Sequence, residues 1–245
     1  MHFGKLLIFF AILTRVLSNF NNSFILELTY KISLICLILM IICILINVVM
    51  RSWVRFNDSI YKDESYLTHT LPVTKNEIYN SKFIQTLIFF IVSFIVIIIS
   101  LFIGIYSKEI LNYLKESINV ITESIDFSTT FFITSILLLI FLELFNMLQS
   151  GYLGLILGNQ KNNNKIAHSV AYGFVTYLIT QIIPLLLVFV VGLFNNNVMN
   201  LFKNNTINSN ILRLLMVLSI IMYLIIIIIM NIICKKELNK GVNVE

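Results

Sequence analysis

Only two prolines and eight glycines interrupt 245 residues, and charged side chains make up just 12% of them. So little charge excludes an ordinary soluble domain, in which about 25% of residues are charged. Cys36, Cys43 and Cys234 lie inside apolar runs, too dispersed for a metal site or an obvious disulfide, and they leave the redox compartment unread. His2, His69 and His168 are not spaced as metal ligands. No G-x-x-x-x-G-K-[ST] phosphate loop, no H-E-x-x-H and no G-x-S-x-G occurs. An intramembrane enzyme is therefore disfavoured, because no nucleophile–base or metal set can be assembled. The chain is expected to hold no cofactor and to hydrolyse no ATP itself.

What is abundant is grease. Hydrophobic residues make up 58% of the chain, and the mean hydropathy is +0.93. They fall in blocks long enough for a bilayer, which needs roughly 20 residues per helix. The fold class is all-α integral membrane. Six spans are expected, near 5–20, 32–50, 83–106, 129–149, 166–194 and 211–234, forming a single transmembrane domain. The first is short and interrupted by Arg15; no small-x-small cleavage site follows it, so it reads as an uncleaved span and not a signal peptide. Ser33, Cys36, Met40, Cys43 and Asn47 share one face of the second, a packing signature; Ser93, Ser100 and Gly104 do so on the third. In segment 107–128, Ile110, Leu111, Leu114, Ile118, Ile121 and Ile125 recur at helical spacing between Lys and Glu. This predicts an amphipathic helix on the outer membrane surface.

The net charge of +5 invites a nucleic-acid reading, but the basic residues sit at span ends, as insertion topology demands. An inward N-terminus gathers Lys5, Arg51, Arg55, Lys62, Lys75, Lys82, Lys161, Lys165, Lys235, Lys236 and Lys240 on one side. Arg15, Lys31, Lys108, Lys115, Lys203 and Arg213 remain for the other. That bias predicts both termini in the cytoplasm. Richness in Asn, Ile and Lys suggests an AT-rich genome, hence a multi-pass protein of a bacterial cytoplasmic membrane.

Between the second and third runs lies the cytoplasmic segment 51–82. It contains Asp63-Glu64-Ser65-Tyr66-Leu67-Thr68-His69-Thr70-Leu71-Pro72-Val73-Thr74, then Lys75-Asn76-Glu77-Ile78-Tyr79-Asn80-Ser81-Lys82. An acidic pair, spaced apolar residues, a Leu-Pro break and a fresh helix start describe a docking element. Thr74 is placed to cap the helix that Lys75 and Glu77 begin. The plainer alternative is a solvated charge run, which would lack this apolar spacing.

At these residues the chain resembles the ABC-2-type transporter permeases. Acidic-Glu-x-x-Leu-Thr-x-x-Leu-Pro-Val-Thr followed by Ile and Ser-Lys looks like that family's first cytoplasmic loop. The likeness extends more weakly to 158–177 and to the basic tail 235–245. It implies a coupling helix resting on a separate ATP-binding subunit, with ATP and magnesium on that partner. It also implies a second permease subunit, identical or related. The substrate would be amphipathic, such as a peptide, antibiotic or lipid-like molecule, exported or extracted from the membrane. On this resemblance Asp63 and Glu64 would meet basic or polar groups of the ATPase, Leu67 and Leu71 would fill a shallow cleft, Pro72 would end the coupling helix, and Lys82 would mark membrane entry. The family's members usually begin with a basic amphipathic elbow helix ahead of this span; here either Met1 is a late start or the elbow is absent.

Two intramembrane features complete the reading. Glu143 lies in the fourth span with Ser135, Asn146, Gln149 and Ser150 on about one third of the helix circumference. A carboxylate near mid-membrane costs on the order of 2.5–3.5 kcal/mol on insertion scales, so it should face protein or water. It is a candidate gate, substrate-path residue or proton site; the plainer alternative is a structural hydrogen bond near the interface. In the fifth span, Ser169, Gly173, Thr176, Thr180 and Pro184 form a stripe with Gln181 beside it. Pro184 cannot donate to the Thr180 carbonyl, which predicts a kink there. Close helix packing explains the stripe as well as a path lining does. Two rivals stand beside the permease reading: a proton-coupled secondary transporter using Glu143, and a non-transporting immunity or scaffold protein.

Overall fold

The computed structural model describes residues 2–19, 23–62, 64–70, 72–105, 108–194, 198–199 and 209–240. These residues form α1 (His2–Ser18), α2 (Phe24–Tyr61), α3 (Ser65–Thr70), α4 (Lys75–Ile105), α5 (Lys108–Ser124), α6 (Thr129–Asn159), α7 (Lys165–Phe194) and α8 (Ser209–Asn239). No strand occurs among the described residues.

Five of these helices, α2, α4, α6, α7 and α8, are long and apolar enough to cross a membrane. At about 1.5 Å per residue, 30 residues reach ~45 Å, against a hydrocarbon core of about 30 Å. Their large apolar side chains point outward in rows. Ile84, Ile88, Ile91, Ile95 and Ile98 on α4 are exposed, as are Phe174, Leu178, Ile182 and Leu185 on α7. In water such rows would be an aggregation surface; in lipid they are the proper solvent. The chain is a multi-pass helical membrane protein. Helix α1, with Lys5 and Arg15 inside its 17 residues, is shorter than the other five.

Two compact units divide the chain: residues 1–54 with 80–116, and residues 55–79 with 117–245. In the first, Leu7 and Ala11 of α1 bury against Leu37 and Ile44 of α2 and Ile97 of α4. Gly104 is the pinch point. A β-carbon there would stand 2.5 Å from Leu37 Cδ1 and 3.3 Å from the Ala11 backbone, so any larger residue would have to push the Leu37 side chain aside and shift α1 by a few tenths of an ångström. Ser100, one turn earlier, is fully buried. The predicted small-residue face of α4 is thus a packing face along Ser100 and Gly104. On α2 the expected face is corrected. Ser33 is buried but Cys43 is exposed, and the buried line runs Ser33, Leu37, Ile44. Volume decided this, because Leu37 and Ile44 fill space that Cys36 and Cys43 cannot.

The second unit is built on α6, which packs most extensively on α7 and next on α8. α6 turns into α7 through a short loop in which Asn164 adopts φ 49°, a left-handed conformation that Asn tolerates. At the other end, Asp126 follows α5 with φ 54°, and its carbonyl accepts Arg213 Nη2 at 3.1 Å. The same guanidinium lies 5.2 Å from the Phe127 ring centroid, tying the start of α8 to the start of α6.

Helix bounds differ from the hydropathy reading in one consistent way. α2 continues to Tyr61 and α4 begins at Lys75, so the connecting segment shrinks from the expected 51–82 to 62–74, with α3 inside it. α6 runs past 149 to Asn159 through Gly151, Gly154 and Gly158, the longer of the two ends that the sequence allows. Hydropathy marks where lipid ends; a helix stops only where a cap or breaker stops it. α7 is continuous through Pro184.

Candidate functional site

The second unit holds two polar constructions. One lies between α6, α7 and α8 in the apolar part of the helices. The other surrounds the connection between α2 and α4.

The first is a ladder across the α6–α7 seam. The seam is close because its residues are small. A β-carbon on Gly154 would stand 2.5 Å from the Gly173 backbone, and one on Gly158 would overlap Ser169. Further along, side chains replace backbone contact. Asn146 Nδ2 donates to Thr180 Oγ1 at 2.9 Å, and Thr180 Oγ1 donates onward to the Tyr177 carbonyl at 2.7 Å. On the preceding turn of α6, Glu143 Oε1 accepts Tyr177 Oη–H at 2.6 Å and Gln181 Nε2 at 2.7 Å. From α8, Tyr223 Oη donates to Gln181 Oε1 at 3.3 Å and lies near enough to the carboxylate to feel its charge. Gln181 is thereby oriented: its carbonyl meets a donor and its amide meets the carboxylate. Insertion cost explains the construction, since an intramembrane carboxylate needs protein donors in place of water.

The ladder is not fully satisfied. Glu143 Oε2 and Asn146 Oδ1 are buried without a hydrogen-bond partner, as are both amide atoms of Gln149. Ser150 Oγ donates to the Asn146 carbonyl at 2.9 Å, a local bond within α6. Of the residues singled out in the sequence, Glu143 and Gln181 meet directly, and so do Asn146 and Thr180. Pro184 lies one turn beyond Thr180, half-buried, with no polar role. Tyr177 and Tyr223 were missed. Tyr177 was findable, four residues before Gln181 on the same helix face; Tyr223 sits in an aliphatic run that gives no hint of its partner.

The second construction begins where α2 ends. Ser65 N donates to the Lys62 carbonyl at 2.7 Å, turning the chain into α3. Within α3, Thr68 and Thr70 hydroxyls bond back to the Glu64 and Leu67 carbonyls. Tyr66 and Leu67 are left 76% and 69% exposed, a bare apolar pair at the tip. The side chain of Glu64 is exposed and enters no ion pair among the described residues. Asp63 and Leu71 lie outside the described residues. Pro72, like Glu64, is exposed. Then Thr74 and Glu77 form a reciprocal capping box: Thr74 N donates to Glu77 Oε2 at 2.7 Å, and Glu77 N to Thr74 Oγ1 at 3.3 Å. In this polar first turn, ahead of the apolar run that begins at Phe83, the Thr74 backbone N–H and then its hydroxyl hold the Glu77 carboxyl below the ordinary carboxylate range. Lys82 lies two turns into α4, half-buried.

Beneath this tip is a platform that sequence reasoning did not find. Phe56 of α2 stacks on Tyr152 of α6 with centroids 4.3 Å apart, and Tyr79 of α4 meets both edge-on at 6.1 and 6.4 Å. The Cys234 thiol of α8 sits beside the Tyr79 hydroxyl. Three amide ties close the same end of the unit. Asn159 Nδ2 donates to Asn57 Oδ1 at 3.0 Å, Gln160 Nε2 to the Glu237 carbonyl at 3.2 Å, and Asn239 Nδ2 to Asn76 Oδ1 at 3.0 Å. Both ends of the 62–74 connection are therefore bolted to the ends of α6 and α8.

No group of three His, Cys, Asp or Glu able to hold a metal ion occurs among the described residues. No family model, no curated protein and no solved structure matches the chain.

Proposed function

We propose that this chain is the permease subunit of an ATP-driven transporter of the ABC-2 type, worked by a separate ATP-binding subunit that docks on residues 62–77. One observation carries the reading: a short helix with a bare apolar tip, followed by Pro72 and a capped helix start, standing on a platform tied to α6 and α8. A loop that only joined two spans would need to be polar; it would not need that platform. Tyr66 and Leu67, with Glu64 beside them, offer a partner an apolar knob and a charge. The charge bias supports both termini in the cytoplasm, and on that orientation the tip lies where ATP is. Two such permeases and two ATPases would form the working assembly. Closing of the ATPases on ATP would shift the tip, and the Asn57–Asn159 and Asn76–Asn239 ties would carry that shift into α6 and α8. A difference in contact between the two nucleotide states supplies the drive. The substrate is amphipathic, and α1 is the sixth span.

Glu64→Ala with Leu67→Ala is expected to strip the ATPase from the permease or to uncouple ATP turnover from transport. Breaking a desolvated, hydrogen-bonded charge pair at an interface costs about 2–5 kcal/mol, against roughly 0–1 for a solvated surface pair. The measurement is co-purification with a candidate ATP-binding subunit from the same genome, with nucleotide turnover in proteoliposomes. Normal co-purification and fully coupled turnover by the double variant would overturn the assignment.

The partly unsatisfied Glu143 carboxylate favours a second reading, a carrier coupled to a proton gradient. Transport in proteoliposomes without the ATPase, driven by an imposed pH gradient and lost in Glu143→Gln, would select it.

A further inference from the structure

From the ladder's unmet acceptors we infer that Glu143 and Asn146 form an intramembrane binding site for a protonated primary amine, the cationic group of the transported molecule. The assignment deepens the transport reading by naming its substrate class.

The geometry sorts the two oxygens of Glu143. Oε1 takes both protein donors, Tyr177 Oη–H at 2.6 Å and Gln181 Nε2–H at 2.7 Å. Oε2 is buried without a hydrogen-bond partner, and the nearby Tyr223 hydroxyl is directed to Gln181 Oε1 at 3.3 Å. On the next turn of the same face, Asn146 spends its Nδ2 donor on Thr180, at 2.9 Å, and leaves Oδ1 unmet in a fully buried side chain. Thr180 and Gln181 are neighbours on α7, so the two α6 side chains converge on one stretch of it. What is missing at both is a donor. An ordinary structural hydrogen-bond network would be closed, because each unmet buried acceptor costs free energy.

The missing group must bring N–H or O–H donors and positive charge. No lysine, arginine or histidine pairs with Glu143 among the described residues. A primary ammonium supplies three donors and no acceptor, which matches the two unmet oxygens Glu143 Oε2 and Asn146 Oδ1; the unmet amide of Gln149, a donor as well as an acceptor, lies one turn further along α6. A divalent metal fits poorly, since hard cations take about six or more oxygens and one carboxylate stands here alone. A quaternary ammonium has charge but no N–H, and an alcohol has a donor but no charge. Those two differences make the site testable.

The full chain in nanodiscs of neutral phosphatidylcholine would be dialysed against radiolabelled hexylammonium, hexyltrimethylammonium and 1-hexanol, with empty nanodiscs as the partition control. We expect saturable binding of hexylammonium, at least tenfold tighter than that of either analogue and undiminished by equimolar sodium. Glu143→Gln should weaken it tenfold or more, and Asn146→Ala severalfold, with 1-hexanol partitioning unchanged. Should Glu143→Gln not fold, the three-ligand comparison on the native chain still decides. Equal binding of amine and alcohol, no saturable binding above empty nanodiscs, or displacement by sodium would each overturn the site. So would an unaltered affinity in a folded Glu143→Gln. Because neither ATPase nor nucleotide is present, failure here leaves the docking assignment standing, and failure of docking leaves this result untouched.

Discussion

Gly158 of α6 lies so close to Ser169 of α7 that a β-carbon on the glycine would overlap the serine's side chain and backbone. Gly154, one turn earlier, stands in the same relation to Gly173, but the relation is one-sided. A β-carbon on Gly173 would meet nothing nearer than the Ser150 carbonyl at 3.6 Å, an ordinary contact. Gly154→Ala and Gly158→Ala should therefore destabilise the unit by about 1–3 kcal/mol, the usual range for forced overpacking. Gly173→Ala should be close to neutral. Thermal unfolding of the detergent-purified variants reads the difference, and equal losses at all three positions would contradict the one-sided seam.

The Asn146–Thr180 bond offers a second measurement. Interhelical hydrogen bonds within membranes average about 0.6 kcal/mol in double-mutant cycles and reach ~1.7 at most. Thr180→Val removes the partner and keeps the shape, so the expected loss lies within that range. A double-mutant cycle with Asn146→Leu should return a coupling energy of the same size. A coupling near zero would mean that the seam is held by its small residues alone.

At the start of α4 the expected effect is local. Thr74→Ala removes the hydroxyl half of the capping box and leaves the backbone N–H of residue 74 to the Glu77 carboxylate, and amide exchange in the first turn of α4 should rise about fivefold, the factor an ordinary cap confers. The Glu77 half depends on pH. Its folded value is lowered, so its contribution is complete above the ordinary value of 4.5 and is lost as pH falls through the lowered one. Exchange rates corrected for intrinsic chemistry should show first-turn fraying appear only in that acid range. Fraying that sets in nearer neutral pH would assign the stability to another group.

The orientation can be read chemically. In a background lacking Cys36, Cys43 and Cys234, single cysteines at positions 115 and 119 of α5 should react with an impermeant maleimide in intact cells. Single cysteines at 64 and 67 should react only after permeabilisation. Both α5 positions are exposed, as are Glu64 and Leu67, so a failure to label would reflect sidedness and not burial. Labelling of position 64 or 67 from outside would reverse the topology and remove the docking argument with it.

Much of this architecture is legible in the sequence. Runs of Ile, Leu and Phe announce their helices, and Thr74 followed by Glu77 announces the capping box. Glu143, Asn146, Thr180 and Gln181 stand out as polar residues in grease, and two of the pairs they form join neighbouring helices. Helix length was harder to see. Arg51 to Tyr61 carries polar side chains but no glycine, proline or cap, so α2 continues past the apolar run that hydropathy reports. Least visible was the platform. Phe56, Tyr79, Tyr152 and Cys234 come from four helices, and each looks like one more apolar residue; only packing brings them together.

That platform yields the strongest test of the proposal that an ATPase docked on the tip drives the helices. Residues 55–79 belong to the same compact unit as α6, α7 and α8, although most of α2 and α4 belongs to the other. Asn57 and Asn159 join amide to amide at 3.0 Å, just below the Phe56–Tyr152 stack, where rings 4.3 Å apart leave no room to slide. If the tip and α6 move as one body, locking them together should cost nothing. A short bifunctional thiol reagent joining Asn57→Cys to Asn159→Cys, in the cysteine-free background, should leave ATP-coupled transport within twofold of the uncrosslinked protein. Asn159→Leu should do the opposite. It removes the tie but keeps the tip, so the ATPase should still co-purify while transport per ATP falls severalfold. A crosslink that arrests transport would show that the tip must shear against α6, and the drive would then have to reach the helices through Asn76, Asn239 and α8 instead.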